Sequence, residues 1–375
     1  MALDTKRLKE SFAHVARYGD EVTLFFYSDL FLRAPEVRDL FPVSMAAQRD
    51  RLLGALVKIV SDVDSLDSLV PYLRGLGRDH RKFGALAEHY DTVGTSLLVT
   101  LAYFSGSNWT NELAADWKAA YTLVAKTMVE AAKEDENLHP PWWDATVISH
   151  ERRSFDIAVF RAAPLQRLPY APGQSVAIEA EDCPRTWRFY SMANAPRDDG
   201  TLDFHVRMVD GGALSSALVR RVRPGSRLKL GPAVGALTLD TQSGRDIVMA
   251  AGSTGLAPLK ALIEQISTLR DPPRVHLFFG AQSADGLYDL PDLEKMAAQY
   301  GWLSVTPAVS GDPGGPGFGG ERGTVADVVG RHGLWQGHDA YVCGSTAMVE
   351  ATADRLTSLG ISRDQIHVED FGWSR

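Results

Sequence analysis

Only two cysteines, Cys183 and Cys343, stand among 375 residues. So few thiols exclude a disulfide-framed secreted domain and cannot supply the four thiolates of an iron–sulfur cluster. Positive charge is also in short supply: 39 Lys and Arg face 47 Asp and Glu, for a formal net charge of −8. Phosphate backbones need basic patches, so nucleic acid is not an expected partner. Long apolar runs are missing as well. Stretches such as Leu97 to Phe104 are interrupted and too short to cross a bilayer. The first residues, Met1 to Glu10, lack the continuous apolar core of a signal peptide. The expectation is a soluble cytoplasmic chain with no transmembrane segment, probed no further by composition. What is present suits buried cores: 45% of residues are hydrophobic and 23% charged, and the length suits two or three domains.

Residues 5–136 have a helical rhythm. Leu8, Phe12 and Val15 share a face, as do Trp117, Tyr121, Val124 and Met128. Proline is sparse there, at Pro35, Pro42 and Pro71, where it is expected to open or break helices. The run Leu138-His139-Pro140-Pro141-Trp142-Trp143 ends this regime. From Thr146 the pattern turns to short β-like runs at 145–148, 155–160, 175–178, 202–208 and 226–230. Turns at Pro172-Gly173, Gly211-Gly212 and Pro224-Gly225 separate them, which suits a small antiparallel barrel. After Gly244 strands and helices alternate: strands at 247–250, 275–279 and 340–342 precede helices at 258–269, 291–300 and 347–359. That alternation indicates a parallel sheet covered by helices. A glycine-rich loop at Gly311–Gly320 is the one biased segment. The domains expected are 1–138, 142–240 and 241–375.

Within the helical part, Tyr27 follows Leu24-Phe25-Phe26, Phe41 follows the helix-breaking region, and Gln48 opens the next helix. His80 sits in Gly77-Arg78-Asp79-His80-Arg81-Lys82-Phe83. Taken singly, a residue like His80 is more often a solvated or satisfied histidine than an iron ligand, Tyr27 a core aromatic and Gln48 a surface amide. In order and spacing, however, this stretch resembles the globin domain of bacterial flavohaemoglobins, and His80 through Glu88-His89-Tyr90-Asp91-Thr92-Val93-Gly94 matches without a gap. The resemblance implies haem b, with His80 as proximal iron ligand, Phe41 wedging the macrocycle, and Tyr27 with Gln48 as the polar distal pair. An imidazole leaves one axial position open, and a phenol can hydrogen-bond O2 there. Tyr90 matches a tyrosine that, in the family, joins a glutamate in hydrogen-bonding the ligating histidine. The same register puts Ala132 at the glutamate, with Glu130 and Glu134 two residues to either side and on other helix faces. Asp79 stands where family members carry a lysine near a haem propionate.

Arg188-Phe189-Tyr190-Ser191 resembles the R-x-Y-S signature of ferredoxin–NADP-reductase-like flavin domains. The surroundings agree: Pro172-Gly173-Gln174 upstream, His205-Val206-Arg207 and Gly211-Gly212-Ala213-Leu214-Ser215 downstream. The resemblance implies FAD, with Arg188 on its pyrophosphate, Tyr190 on the ring, Ser191 near N5, His205 nearby, and the Gly212–Ser215 turn offering backbone N–H groups to phosphate. Read alone, Gly211-Gly212 is equally a plain hairpin turn.

Gly252-Ser253-Thr254-Gly255-Leu256-Ala257-Pro258 follows a buried strand and opens a helix. It resembles the reductase family's G-x-x-G-x-x-P nicotinamide loop, which implies nucleotide contact at Gly252, Thr254, Gly255 and Pro258. Cys343-Gly344 resembles the second loop of that site, although Cys343 also reads as an ordinary buried residue. Near the end, Glu369 and Phe371 match residues beside the flavin. No basic cluster for a ribose 2′-phosphate follows Phe279-Gly280-Ala281, where Gln282 and Ser283 stand, so NADH is favoured over NADPH.

The resemblance spans residues 5–372. It implies a multidomain chain: an all-α globin fold, an antiparallel β-barrel FAD domain, and an α/β parallel-sheet NAD-binding domain. The implied activity is that of an NAD(P)H-dependent nitric oxide dioxygenase, a monomer acting on O2 and nitric oxide. Two alternatives stay open: a haem-linked diaphorase or peroxide reductase, and a gas- or redox-sensing globin with an attached reductase.

Overall fold

The computed structural model describes residues 3–311 and 318–369, and its contacts divide the chain between Trp142 and Trp143 into two units. The N-terminal unit is helical: α1 (Thr5–Val15), α2 (Asp20–Arg33), α3 (Ala46–Ser61), α4 (Leu66–His80), α5 (His89–Ser105) and α6 (Asn111–Glu136), joined by short turns. Leu8, Phe12 and Val15 are the buried face of α1. They pack with Phe26 and Leu30 of α2, Leu101 and Phe104 of α5, and Trp117 of α6. Helix starts are set locally. The Asp4 side chain accepts from the Arg7 amide at 3.0 Å, and Thr110 accepts from the Leu113 amide at 3.2 Å, each satisfying an orphan N–H of the first turn.

Pro35 opens a tight turn over Pro35–Leu40, but Pro71 lies inside α4 rather than at its end. The expectation of a break there is corrected. One missing N–H leaves only the carbonyl of exposed Asp67 without its intrahelical partner, and water can reach it. The helix therefore continues to His80. Its packing on α6 depends on Gly77, where a Cβ would lie 2.2 Å from the Met128 carbonyl oxygen.

In the C-terminal unit, β1 (Trp143–Arg152), β2 (Ile157–Pro164), β3 (Ser175–Ala180), β4 (Arg188–Ser191), β5 (Leu202–Arg207), α7 (Ala213–Arg220) and β6 (Arg227–Val234) come first. The strands pair antiparallel in the order β4-β3-β6-β1-β2-β5. A bridge between Met192 and Phe204 links the two edges and nearly closes a barrel. Strand alternation decides what faces its interior. Leu202, Phe204 and Val206 join Phe160, Val176 and Ile178 in the core, which leaves Asp203, His205 and Arg207 on the outer face of β5.

The rest is a parallel sheet. It comprises β7 (Ile247–Gly252), α8 (Leu256–Ile266), β8 (Val275–Ala281), α9 (Leu290–Gln299), β9 (Leu303–Val309), β10 (Glu321–Arg322), α10 (Val325–Arg331), β11 (Asp339–Cys343), α11 (Thr346–Ser358) and β12 (Ile366–Val368). The order is β10-β9-β8-β7-β11-β12. Residues 247–251 are buried without alternation, as a strand covered on both faces requires. The strand order reverses between β7 and β11, and in such sheets ligands enter the crevice beyond the strand ends at that point. Among the described residues no helix is long and apolar enough to cross a membrane.

Gly77→Val should destabilise the helical unit by about 1–3 kcal/mol, because the added carbons must displace a backbone carbonyl. Urea unfolding followed by helical circular dichroism checks this; an unchanged midpoint would show that α4 and α6 can separate freely.

Candidate functional site

The first centre lies at the end of α4. The Nδ1 of His80 is 2.7 Å from the Leu76 carbonyl oxygen. A carbonyl only accepts, so Nδ1 carries the proton and Nε2 keeps its lone pair. Burial pushes the imidazole pKa down, which keeps the ring neutral and fit to ligate. Among the described residues no group of three or more His, Cys, Asp or Glu could hold a bare ion. A lone imidazole suits iron whose other donors come with a macrocycle.

Tyr27 on α2 is buried, and Gln48 Nε2 donates to its hydroxyl at 3.3 Å. That bond occupies an acceptor position and leaves the phenol's own O–H for a ligand. Burial lifts the Tyr27 pKa to about 12, so the proton stays on. Phe41 packs edge-on against Tyr27, with ring centres 5.5 Å apart, and against Phe31 at 5.4 Å. Tyr27, Gln48 and Phe41 are thus brought together.

Tyr90 is not joined to His80. It packs against Leu69, Leu73 and Met128, and burial lifts its phenol to about 12. Its backbone carbonyl accepts from the Tyr121 hydroxyl at 2.5 Å. Of the two glutamates flanking Ala132, Glu130 lies 3.8 Å from Lys126 and Glu134 pairs with Arg74. Asp79 pairs with buried Lys82. Among the described residues no carboxylate takes the His80 Nδ1 proton.

The second centre is in the other unit. Ser191 of β4 is opposite Ser175 of β3, their Oγ atoms 3.1 Å apart. Both hydroxyls donate to Oε1 of Glu369, Ser175 at 3.2 Å and Ser191 more closely. Burial raises the Glu369 pKa to about 7 against the opposing effect of the two serines. Tyr190, beside Ser191 in sequence, has its phenol pKa raised by burial too. Arg188 donates to the Trp187 carbonyl at 2.8 Å. Among the described residues no carboxylate pairs with Arg188, which suits an anionic ligand. Gly212 is the N-cap of α7. Ser215 Oγ donates to the Gly212 carbonyl at 3.1 Å and accepts from the Val209 amide at 3.2 Å, so it shapes that turn. His205 engages the hydroxyl of Tyr288 at 2.8 Å; burial and the Lys260 charge press its pKa down to about 3.

Next to this lies the glycine loop. Gly252 ends β7, Ser253–Gly255, with Thr254 at its middle, forms a tight turn, and Pro258 is buried in the first turn of α8. Ser253 holds a left-handed φ of 52°, a strained state for a residue with a side chain. A Cβ at Gly255 would lie 2.4 Å from the Cys343 carbonyl oxygen, and one at Gly344 3.3 Å from Gly252. The loops after β7 and β11 therefore touch at the topological switch point. Burial, then the Glu369 charge, pushes the Cys343 thiol well up, so it stays protonated. Phe371 lies outside the described residues. Sequence reading missed Ser175. Ser175 follows Pro172-Gly173-Gln174, but only the β3–β4 register puts it opposite Ser191.

Comparison with known proteins agrees with this division. Residues 24–128 match the globin family, 143–238 the oxidoreductase FAD-binding domain, and 249–354 the oxidoreductase NAD-binding domain. The chain is 28% identical over 383 residues to a flavohemoprotein of Bordetella parapertussis, covering 95% of this chain and 94% of that one. It is 31% identical over 228 residues to the xylene/toluene monooxygenase electron transfer component XylA of Pseudomonas putida, covering 60% of this chain and 65% of the relative's length. A flavohemoglobin structure from Malassezia yamatoensis superposes with a TM-score of 0.79 at 17% identity, over 99% of both chains, a likeness of fold.

Glu369 is neutral below about 7 and ionised above. An ionised carboxylate beside Ser191 can no longer give up a proton and opposes negative charge arriving there. NADH-driven ferricyanide reduction should therefore decline as pH rises through that value, and Glu369→Gln should remove the inflection. A wild-type inflection surviving in the variant would assign it to another group.

Proposed function

This chain belongs to the flavohaemoglobin family of oxidoreductases, a haem-binding globin joined to FAD- and NAD-binding domains, and we propose that its reaction is nitric oxide dioxygenation driven by a nicotinamide. When bound, FAD accepts two electrons from the nicotinamide and releases them singly, while haem iron supplies the seat for O2. The residues do the rest. His80, its tautomer fixed by Leu76, offers Nε2 to the metal. Tyr27, held by Gln48, would donate a hydrogen bond from its hydroxyl to O2 in the pocket and keep it oriented toward arriving nitric oxide. Arg188 and the Gly212 turn bind the flavin pyrophosphate, and Tyr190 covers the ring. Ser191 and Glu369 hold a proton near the reacting edge. The loops at Gly252–Gly255 and Cys343–Gly344 admit the nicotinamide nucleotide.

The observation that carries this reading is the pairing, in one globin unit, of a tautomer-fixed neutral imidazole with a buried phenol already held by an amide. NADH is the proposed donor, since Gln282 and Ser283 follow β8 where a cation for a 2′-phosphate would stand.

Protein reduced with NADH, aerated and mixed with nitric oxide should yield one nitrate per nitric oxide. Tyr27→Phe should release O2 roughly tenfold to a hundredfold faster, the range expected for a lost hydrogen bond to a group gaining charge. Sustained NADH oxidation with no nitrate would sink the proposal in favour of a haem-linked diaphorase.

A further inference from the structure

The outer face of β5 carries Asp203, His205 and Arg207 at alternate positions; His205 and Arg207 meet the nicotinamide half of the same unit directly, and Asp203 reaches it through Arg197. Asp203 binds Arg197 at 2.8 Å, and Arg197 binds Glu264 of α8 at 3.0 Å. His205 meets Tyr288 at 2.8 Å, and Arg207 reaches Ser253 of the glycine loop at 3.4 Å. Beside them lies a group that breaks a local rule. Asp289 occupies the N-cap of α9, where an aspartate normally accepts from the first-turn amides, yet its side chain makes no capping bond. Its carboxylate is fully buried and turns instead to Lys260 of α8, at 2.5 Å. Its other oxygen has no hydrogen bond and lies 3.9 Å from Arg153, in the turn after β1, which also binds Asp292 at 3.1 Å. A buried carboxylate with one unsatisfied oxygen is costly, and a forgone cap adds to that cost. Such departures from local consistency are expected where function requires them.

We infer that Asp289 is a positioning residue for nicotinamide-to-flavin transfer: its carboxylate ties Lys260 of α8 to Arg153 of the barrel and so fixes the glycine loop against the flavin domain. Lys260 stands in the second turn of α8, whose first residue follows Gly255 directly. A shift of Asp289 therefore moves the loop as a body, with no change in the residues that touch either cofactor. Transfer between two rings needs contact distance and alignment, and misplacement by about an ångström costs on the order of a hundredfold. This inference rests on the FAD- and NAD-binding oxidoreductase reading and not on the globin's reaction.

The test uses the full-length holoprotein with NADH as donor and ferricyanide as acceptor, so a failure of the nitric oxide proposal leaves it intact. Asp289→Asn should lower kcat roughly tenfold to a hundredfold while FAD content and NAD+ affinity stay within about twofold, a split that loss of structure alone would not give. Arg153→Gln, at a rim position with 21% of its side chain exposed, should give a similar loss and carries the test if Asp289→Asn does not fold. The double variant should be no worse than the weaker single one, as coupled partners require. Hydrogen exchange should quicken in α8. Unchanged kcat in a folded variant, losses that multiply in the double variant, or a defect confined to FAD retention would each overturn the inference.

Discussion

The hydrogen bond from the His80 ring to the Leu76 carbonyl is the constraint on which the globin half depends. It costs the helix nothing, because a carbonyl oxygen has two lone pairs and can accept from the ring as well as from a backbone amide. It decides which nitrogen carries the proton, which nitrogen can bind metal, and how the ring is turned. Gly77 makes that arrangement possible by letting α4 lie directly on the Met128 backbone of α6. A neutral backbone acceptor, rather than a carboxylate, leaves the ring an ordinary imidazole and donates less electron density to a metal.

The reductase half solves a different problem, that of holding a proton without losing it to water. Two serines brought level by the β3–β4 register converge on one oxygen of Glu369, and burial raises its pKa to about 7, so that it still carries a proton part of the time near neutral pH. Around it the thiol of Cys343 and the phenol of Tyr190 are pushed the same way by the same cause. The whole pocket thus favours neutral, proton-bearing groups. Arg188 stands apart as a cation with no carboxylate partner among the described residues, in keeping with an anionic ligand.

Much of this was legible from residue order. The helical period of Leu8, Phe12 and Val15 gave α1 its inward face, and the unbroken apolar run at 247–251 marked a strand covered on both sides. Local patterns failed where pairing decides the outcome. Arg188–Ser191 is too short and too polar to read as a strand, yet it forms β4 because β3 offers it a partner. Residues 303–309 contain serine, threonine and proline but become β9 beside the apolar β8. Pro71 reads as a helix breaker, but packing of Leu69 and Leu73 carries α4 through it.

Sequence alone determined the three-part order, the imidazole, phenol and amide of the globin, and the arginine, serine and glycines of the reductase, because these depend on residue type and short spacing. Tertiary structure decided which of them meet. It joined Tyr27 to Gln48 but left Tyr90 apart from His80, and it brought Ser175 and Glu369 to Ser191 across more than one element. It also turned Asp289 away from its own helix toward Lys260. The reason is physical: a side chain's type fixes what bonds it can make, but only the packed chain fixes which partner stands within reach.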